Sequence, residues 1–288
     1  MSGLPSGYTQ LEYIESTGTQ YVDTGVRQNQ NSRVVVDFQL VSAPAGSYAW
    51  IFEGRDTGPK NRHSVYATKS NGNWYGGYGS ASKNTNIPYD LSVRITADFN
   101  KNVLKIGNTS ITFAQEVFQS STSTVLFGCS TGGTIAHYAQ AKLFGCRFFD
   151  GDTLLRDFVP CKNASGAVGL YDTVGAQFYA NAGTGTFTAG PEIPAPEAPT
   201  GLQTVLAVAL KWAASANADR YDIYRDGAKL GSTETTQYVD TTPEANQTYV
   251  YTVKAVNGGG ESAGTSITVY TKSGYFEYKP LIESANFP

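Results

Sequence analysis

The chain has 288 residues, 40% of them hydrophobic and only 16% charged, with a net charge of -3, which allows two domains with real cores and indicates neither a disordered nor a membrane protein. Its 31 Gly, 19 Tyr and 14 Phe against a single Met favour strands and tight turns over helices, which need charged outer faces and strong helix formers. Lys and Arg are scattered, and the densest stretch, Arg55 to Arg62, also holds Asp56, so nucleic acid is not expected as a partner.

At the N-terminus, Met1-Ser2-Gly3-Leu4-Pro5 has no basic region followed by an apolar one, and no segment reaches the length of a membrane-spanning helix. Neither a secretory leader nor membrane insertion is expected. Period-two alternation then places Val34, Val36, Phe38 and Leu40 on one face of a strand, with Asp37 and Gln39 on the other. Trp50, inside Tyr48-Ala49-Trp50-Ile51-Phe52, reads as core. The Asn71-Gly72 pair joins two strands, since such pairs supply the positive φ that short hairpins demand. Leu91, Val93, Ile95, Ala97 and Phe99 alternate along the next strand, which turns through Asn100-Lys101-Asn102 into Val103 to Ile106. Lys142 to Phe149 leaves neither face polar and predicts a central strand covered on both sides, followed by a turn at Asp150-Gly151. About a dozen such strands predict two antiparallel sheets packed face to face. Cys129, Cys146 and Cys161, an odd count without metal-ligand spacing, read as buried reduced thiols.

Residues 191–198, with Pro191, Pro194 and Pro196, predict a semi-rigid spacer. Beyond it Leu206, Val208, Leu210 and Trp212 alternate, then Tyr221 and Ile223. Asp226-Gly227 closes a hairpin, and Tyr249, Tyr251, Val253 and Ala255 form an inward stripe.

These later residues resemble a fibronectin type III module over 199–272. The likeness is carried by Ala198-Pro199-Thr200-Gly201-Leu202, Trp212, Tyr221-Asp222-Ile223-Tyr224-Arg225-Asp226-Gly227 and the strand from Tyr249 to Asn257. The earlier part, 1–190, resembles the laminin-G-like, concanavalin-A-like jelly rolls of prophage and gut-bacterial surface proteins. It does so through the opening from Leu4 to Gly25, Arg156-Asp157-Phe158-Val159-Pro160-Cys161, Gly169-Leu170-Tyr171-Asp172-Thr173-Val174 and Asn181 to Phe187. Together they imply an all-β chain, a concanavalin-A-like jelly-roll sandwich plus a fibronectin type III (immunoglobulin-like) sandwich. The resemblance also implies a virion setting, made in the host cytoplasm, as a tail, baseplate or head-fibre component. Jelly rolls of this type often hold Ca²⁺ through loop oxygens, and Asp23 or Asp172 could serve. No dense run of alternating acids supports such a site, and no cofactor is expected.

Related jelly rolls include glycosidases, which need two carboxyl groups projecting from one face. Glu53 and Asp56 are three apart, Asp150 and Asp152 flank a hairpin glycine, and Glu12 and Glu15 suit solvent-facing positions. With His63 and His137 as the two imidazoles and no Gly-x-Ser-x-Gly, no catalytic residue is expected and the chain is not read as an enzyme. Sugar binding needs flat aromatic faces beside amides and charges. Trp74, Tyr75 and Tyr78 with Asn71 and Asn73 supply that chemistry among glycines, with His63 and Arg62 just before. Alternation puts Trp74 and Tyr78 on one face and Tyr75 on the other, so Trp74 is either platform or core.

The expectation is therefore a non-enzymatic virion protein that presents a carbohydrate-binding domain for host adhesion, among other virion proteins and as a homo-oligomer within the assembly. The alternatives are a capsid-decoration protein without soluble ligand, or a bacterial cell-surface adhesin. The tail, 273–288, carries Tyr275, Phe276, Tyr278, Leu281, Ile282 and Phe287 with no local core to bury them, and reads as an assembly segment.

Overall fold

Along each long strand of the first part the apolar positions recur every second residue, so each sheet has one face that water disfavours, and two sheets bury those faces together. The structure, a computed structural model, describes residues 4–57, 60–206 and 208–271, and these contain strands and turns without helix. The chain divides into two compact units at Ile193 and Pro194.

In the first unit the back sheet runs Thr109–Thr112, Val103–Ile106, Ile95–Asn100, Ser32–Leu40, Gln140–Asp150, Thr153–Asn163, Val168–Asp172 and Gln177–Tyr179 in spatial order. The front sheet runs Thr134–Ala136, Cys129–Thr131, Tyr48–Arg55, Arg62–Thr68, Asn73–Gly79 and Ala81–Pro88. Val34, Val36, Phe38 and Leu40 share one core with Phe52, Val65, Ala67, Trp74 and Tyr78. Asn100 pairs with Val103 and Asp150 with Thr153 across two-residue turns, in which Lys101 and Gly151 take φ of 51° and 58°. All three cysteines are buried and free.

Two strands differ from expectation. The strand anticipated from Leu91 begins only at Ile95, because the Asp90 carboxylate accepts from the Ser92 amide and hydroxyl and holds a turn that leaves Leu91 and Val93 exposed. Gln140–Asp150 is central, but one of its faces is covered by side chains rather than a second layer. A register shift between Leu143 and Gly145 accompanies the outward placement of Phe144, and the Arg94 guanidinium lies 3.9 Å from that ring. Arg33 covers Phe149 at 5.4 Å in the same way. Each arginine is also held by two hydrogen bonds, Arg94 to Asp37 and Arg33 to Asp98, so the outward aromatics are sheathed by ion-paired planes.

Front-sheet packing leaves no room at Gly54. A Cβ there would lie 2.6 Å from the Ser123 carbonyl oxygen and 2.7 Å from the Thr124 backbone, so Gly54→Ala is expected to cost on the order of 2 kcal/mol, read as a lowered Tm.

The second unit is a fibronectin III-like sandwich of two small sheets. Thr200–Leu206, Ala209–Ala213 and Gln237–Val239 form one. In the other, Arg220–Arg225 lies between Ala228–Thr233 and Thr248–Asn257, which Thr265–Tyr270 also pairs. Trp212 packs edge-on against Tyr221 at 5.3 Å, and Tyr251, Val253 and Ala255 are buried as the stripe predicts. At the 225–228 turn Asp226 and Gly227 take φ of 50° and 82°. The proline-rich spacer is shorter than its composition suggests. The Pro191 carbonyl accepts from the Glu12 amide and the Ile193 amide donates to Gln10 within the first unit, while the Pro194 carbonyl accepts from Asn257 within the second.

Candidate functional site

Strand alternation decides which of the expected ligand-facing residues can meet a ligand. Arg62–Thr68 pairs with Asn73–Gly79 so that His63 lies opposite Tyr78 and Ala67 opposite Trp74, and this set points into the core. Trp74 and Tyr78 are each 2% exposed. The Trp74 ring packs edge-on against Phe38 at 5.2 Å, and Tyr78 sits among Phe99, Phe113 and Phe118. His63 is fully buried with its ring 4.0 Å from Phe99. Its Nδ1 accepts from Gln28 at 3.3 Å and its Nε2 donates to the Lys101 carbonyl at 3.1 Å, an arrangement that suits the neutral ring. Burial pushes its pKa down to about 3. Trp74, Tyr78 and His63 are therefore core residues and not a ligand platform. Nor do the glycines beside them admit a partner: Leu104 and Phe113 close over Gly76, and Ser64 and Arg62 over Gly77.

Tyr75, Asn71 and Asn73 belong to the other side. Asn71 is exposed and donates from Nδ2 to the Tyr75 hydroxyl at 2.8 Å, while its Oδ1 accepts from Thr68 and from the Asn73 amide. Tyr75 stacks on Tyr66 at 5.5 Å, Tyr66 stacks on Trp50 at 3.9 Å, and the Arg55 guanidinium lies 5.7 Å from the Trp50 ring. Tyr48, 40% exposed, meets Tyr66 edge-on at 5.7 Å. Trp50, Tyr66 and Cys129 thus form a small cluster of their own, separate from the main core, with Tyr75 packed against it. The Tyr66 hydroxyl donates to Ser82, which fixes the middle of the stack.

A bulge builds the polar end of this face. The register between Tyr48–Arg55 and Arg62–Thr68 shifts between Trp50 and Phe52, so Ile51 and Phe52 both reach the core and Glu53 returns to the side of Trp50. Glu53 is fully buried; its Oε2 accepts from the Cys129 thiol at 2.5 Å and lies 3.6 Å from Arg55 Nε. Burial raises its pKa to about 7, opposed by the Cys129 bond and by Arg55 and Arg62. Burial and Glu53 together push the Cys129 thiol up to about 12, away from nucleophile chemistry. Beside them Glu53 Oε1, Ser64 Oγ and Arg62 Nε are buried without a hydrogen-bond partner among the described residues. Arg62 spends its Nη2 on the Ser80 carbonyl.

The two acids considered for Ca²⁺ are otherwise engaged. Asp172 accepts from the amides of Asp157, Val174 and Gly175 and pairs with Arg156 at 3.4 Å; Asp23 accepts from the Gly25 amide and the Ser123 hydroxyl. Among the described residues no group of three or more His, Cys, Asp and Glu is placed to hold a metal, and no helix is long and apolar enough to cross a membrane. The expected assembly residues Tyr275, Phe276, Tyr278, Leu281, Ile282 and Phe287 lie outside the described residues.

Sequence reasoning missed Tyr48, Tyr66, Glu53 and Arg55. Part of the signal was present: Arg62, Ser64, Tyr66 and Thr68 alternate with His63, Val65 and Ala67, marking a second face. The bulge at Ile51 left no such mark.

No protein-family model matches the chain. Over 100 residues, 33% of this chain and 19% of the relative, the sequence is 41% identical to a poly(3-hydroxybutyrate) depolymerase of Ralstonia pickettii. Over 175 residues it is 32% identical to an alpha-amylase of Niallia circulans, covering 45% of this chain and 13% of the relative. The chain therefore spans about a fifth or less of the length of these curated relatives. Among solved structures, the crystal structure of FN3tt is 25% identical with a TM-score of 0.26, covering 28% of this chain and 100% of that chain.

Proposed function

We propose that this chain is a non-enzymatic adhesion protein of a bacteriophage virion, whose first unit holds a glycan on the outer face of the front sheet, with the fibronectin III-like unit as spacer. The observation that carries the reading is half-buried Tyr75 and 40%-exposed Tyr48 beside the Asn71 and Asn73 side chains, accessible rings and hydrogen-bonding groups on one face, with buried Trp50 and Tyr66 stacked behind them as support. The polar groups there support holding rather than cutting. Glu53 is bonded to a thiol and flanked by arginines, with no second carboxylate among the groups that perturb it. The names of the matched relatives, a depolymerase and an amylase, each far longer than the match, favour a second setting: an accessory module of a longer polymer-degrading protein.

A host-surface glycan array tests the reading. The Tyr48→Ala, Tyr75→Ala double variant is expected to lose about tenfold or more of the binding while keeping its Tm within a few degrees. Absence of binding to every host glycan, with stoichiometric incorporation into particles, would replace adhesion by decoration.

A further inference from the structure

Resting on the glycan reading, we propose that Arg55 and Arg62 form an anion subsite at the foot of the aromatic stack, so that the ligand of this face is an acidic glycan bearing carboxylate or phosphate. Three observations converge. Arg55 is held beside the Trp50 ring, with its Nε donating to Thr131 Oγ1 at 3.0 Å. Its terminal nitrogens have no hydrogen-bond partner among the described residues, and its side chain remains 21% exposed. A guanidinium held by its Nε and packed against a ring presents its outer fork, the geometry that takes an oxyanion with two parallel bonds.

Arg62 supplies the second. It is buried, yet its Nε has no hydrogen-bond partner among the described residues. Leaving a buried guanidinium nitrogen unpaired is costly, so Arg62 Nε near the Glu53 carboxyl group marks a place able to receive a further polar atom.

The third observation concerns charge. Glu53 is the carboxylate within ion-pair distance of Arg55, and both arginines act on it. Burial holds it toward the neutral acid, so the two guanidiniums are incompletely offset. Asp56, next along the chain, is engaged by Ser121 and Asn61 instead. Cys129 on the neighbouring strand is neutral, and Asp23, across the 125–126 strand, bonds Ser123. The carboxyl group that lies against Arg55 therefore only partly neutralises the two guanidiniums, unlike the carboxylates of the Arg33–Asp98 and Arg94–Asp37 pairs on the back sheet.

Calorimetric titration of the full chain with three oligomers of matched length tests the inference: an oligogalacturonate, a glycerol-phosphate oligomer and a neutral cello-oligosaccharide. One of the charged oligomers is expected to bind about tenfold tighter than the neutral one, and which of them does so distinguishes carboxylate from phosphate. Rising ionic strength should erode that preference and spare the neutral ligand. Arg55→Gln should reduce the charged ligand to the neutral level, whereas Tyr75→Ala should weaken every ligand that binds. The wild-type comparison needs no variant and stands even if Arg62→Gln fails to fold. Equal affinity for all three, or a charge preference that survives Arg55→Gln, would overturn the subsite and leave the glycan reading intact. No binding of any oligomer would overturn both.

Discussion

Two neighbouring substitutions on one strand are expected to fail in opposite ways. Trp74→Ala empties a core position packed against Phe38 and Tyr89 and should cost about 3–5 kcal/mol, lowering the Tm by on the order of 10 °C. Tyr75→Ala removes a half-buried ring from the outer face, whose loss Tyr66 and solvent partly absorb, and should cost about 1 kcal/mol. Binding should follow the reverse order: Tyr75→Ala weakens glycan capture in a folded protein, while Trp74→Ala, at temperatures where it stays folded, retains it. Thermal melts and titrations on both variants check this. A folded Trp74→Ala protein that has lost binding, beside a Tyr75→Ala protein that keeps it, would move the site to the other side of the sheet.

The second large effect is electrostatic and hidden in the wild type by compensation. The Glu53 pKa is raised from 4.5 to about 7, so between these values the native state holds a proton that the unfolded chain has lost. Its contribution is complete below 4.5 and is lost as pH rises to about 7. The His63 pKa is depressed from 6.5 to about 3, so its contribution is complete above 6.5 and is lost as pH falls toward 3. Over the shared window the two slopes oppose each other. Glu53→Gln removes one of them, so the variant should gain on the wild type by on the order of 2–3 kcal/mol as pH rises from 4.5 to 7. Other titrating groups cancel in that difference. Denaturant unfolding of both proteins across the window measures it, and a constant difference would mean that Glu53 is not held as the protonated acid.

Much of the architecture was legible because it rests on local chemistry. The Asp150-Gly151 and Asp226-Gly227 turns carry residues that tolerate positive φ, and the Val34 to Leu40 and Tyr251 to Ala255 stripes have the period of a pleated strand. Lys142 to Phe149 misled because composition cannot tell an aromatic covered by a second layer from one covered by a guanidinium. Arg94 and Arg33 reach Phe144 and Phe149 from strands far away in sequence. The candidate site was legible only in part. Tyr75, Asn71 and Asn73 lie in one short stretch and were found, but Trp74 and Tyr78 came with them because aromatic residues look alike until alternation assigns their faces. Glu53 and Arg55 join Trp50 through a bulge, and Tyr66 and Cys129 join through strand pairing, which is three-dimensional information.

On the proposed reading, the outer face of the front sheet is where this protein meets its ligand. The most direct measurement is an NMR titration of the first unit's amide and indole signals within the intact chain, using the tightest-binding glycan. Shifts are expected at Tyr48, the Trp50 indole, Arg55, Tyr66 and Tyr75, with the back sheet around Arg94 unmoved. Shifts confined to that back sheet or to the fibronectin III-like unit would contradict it.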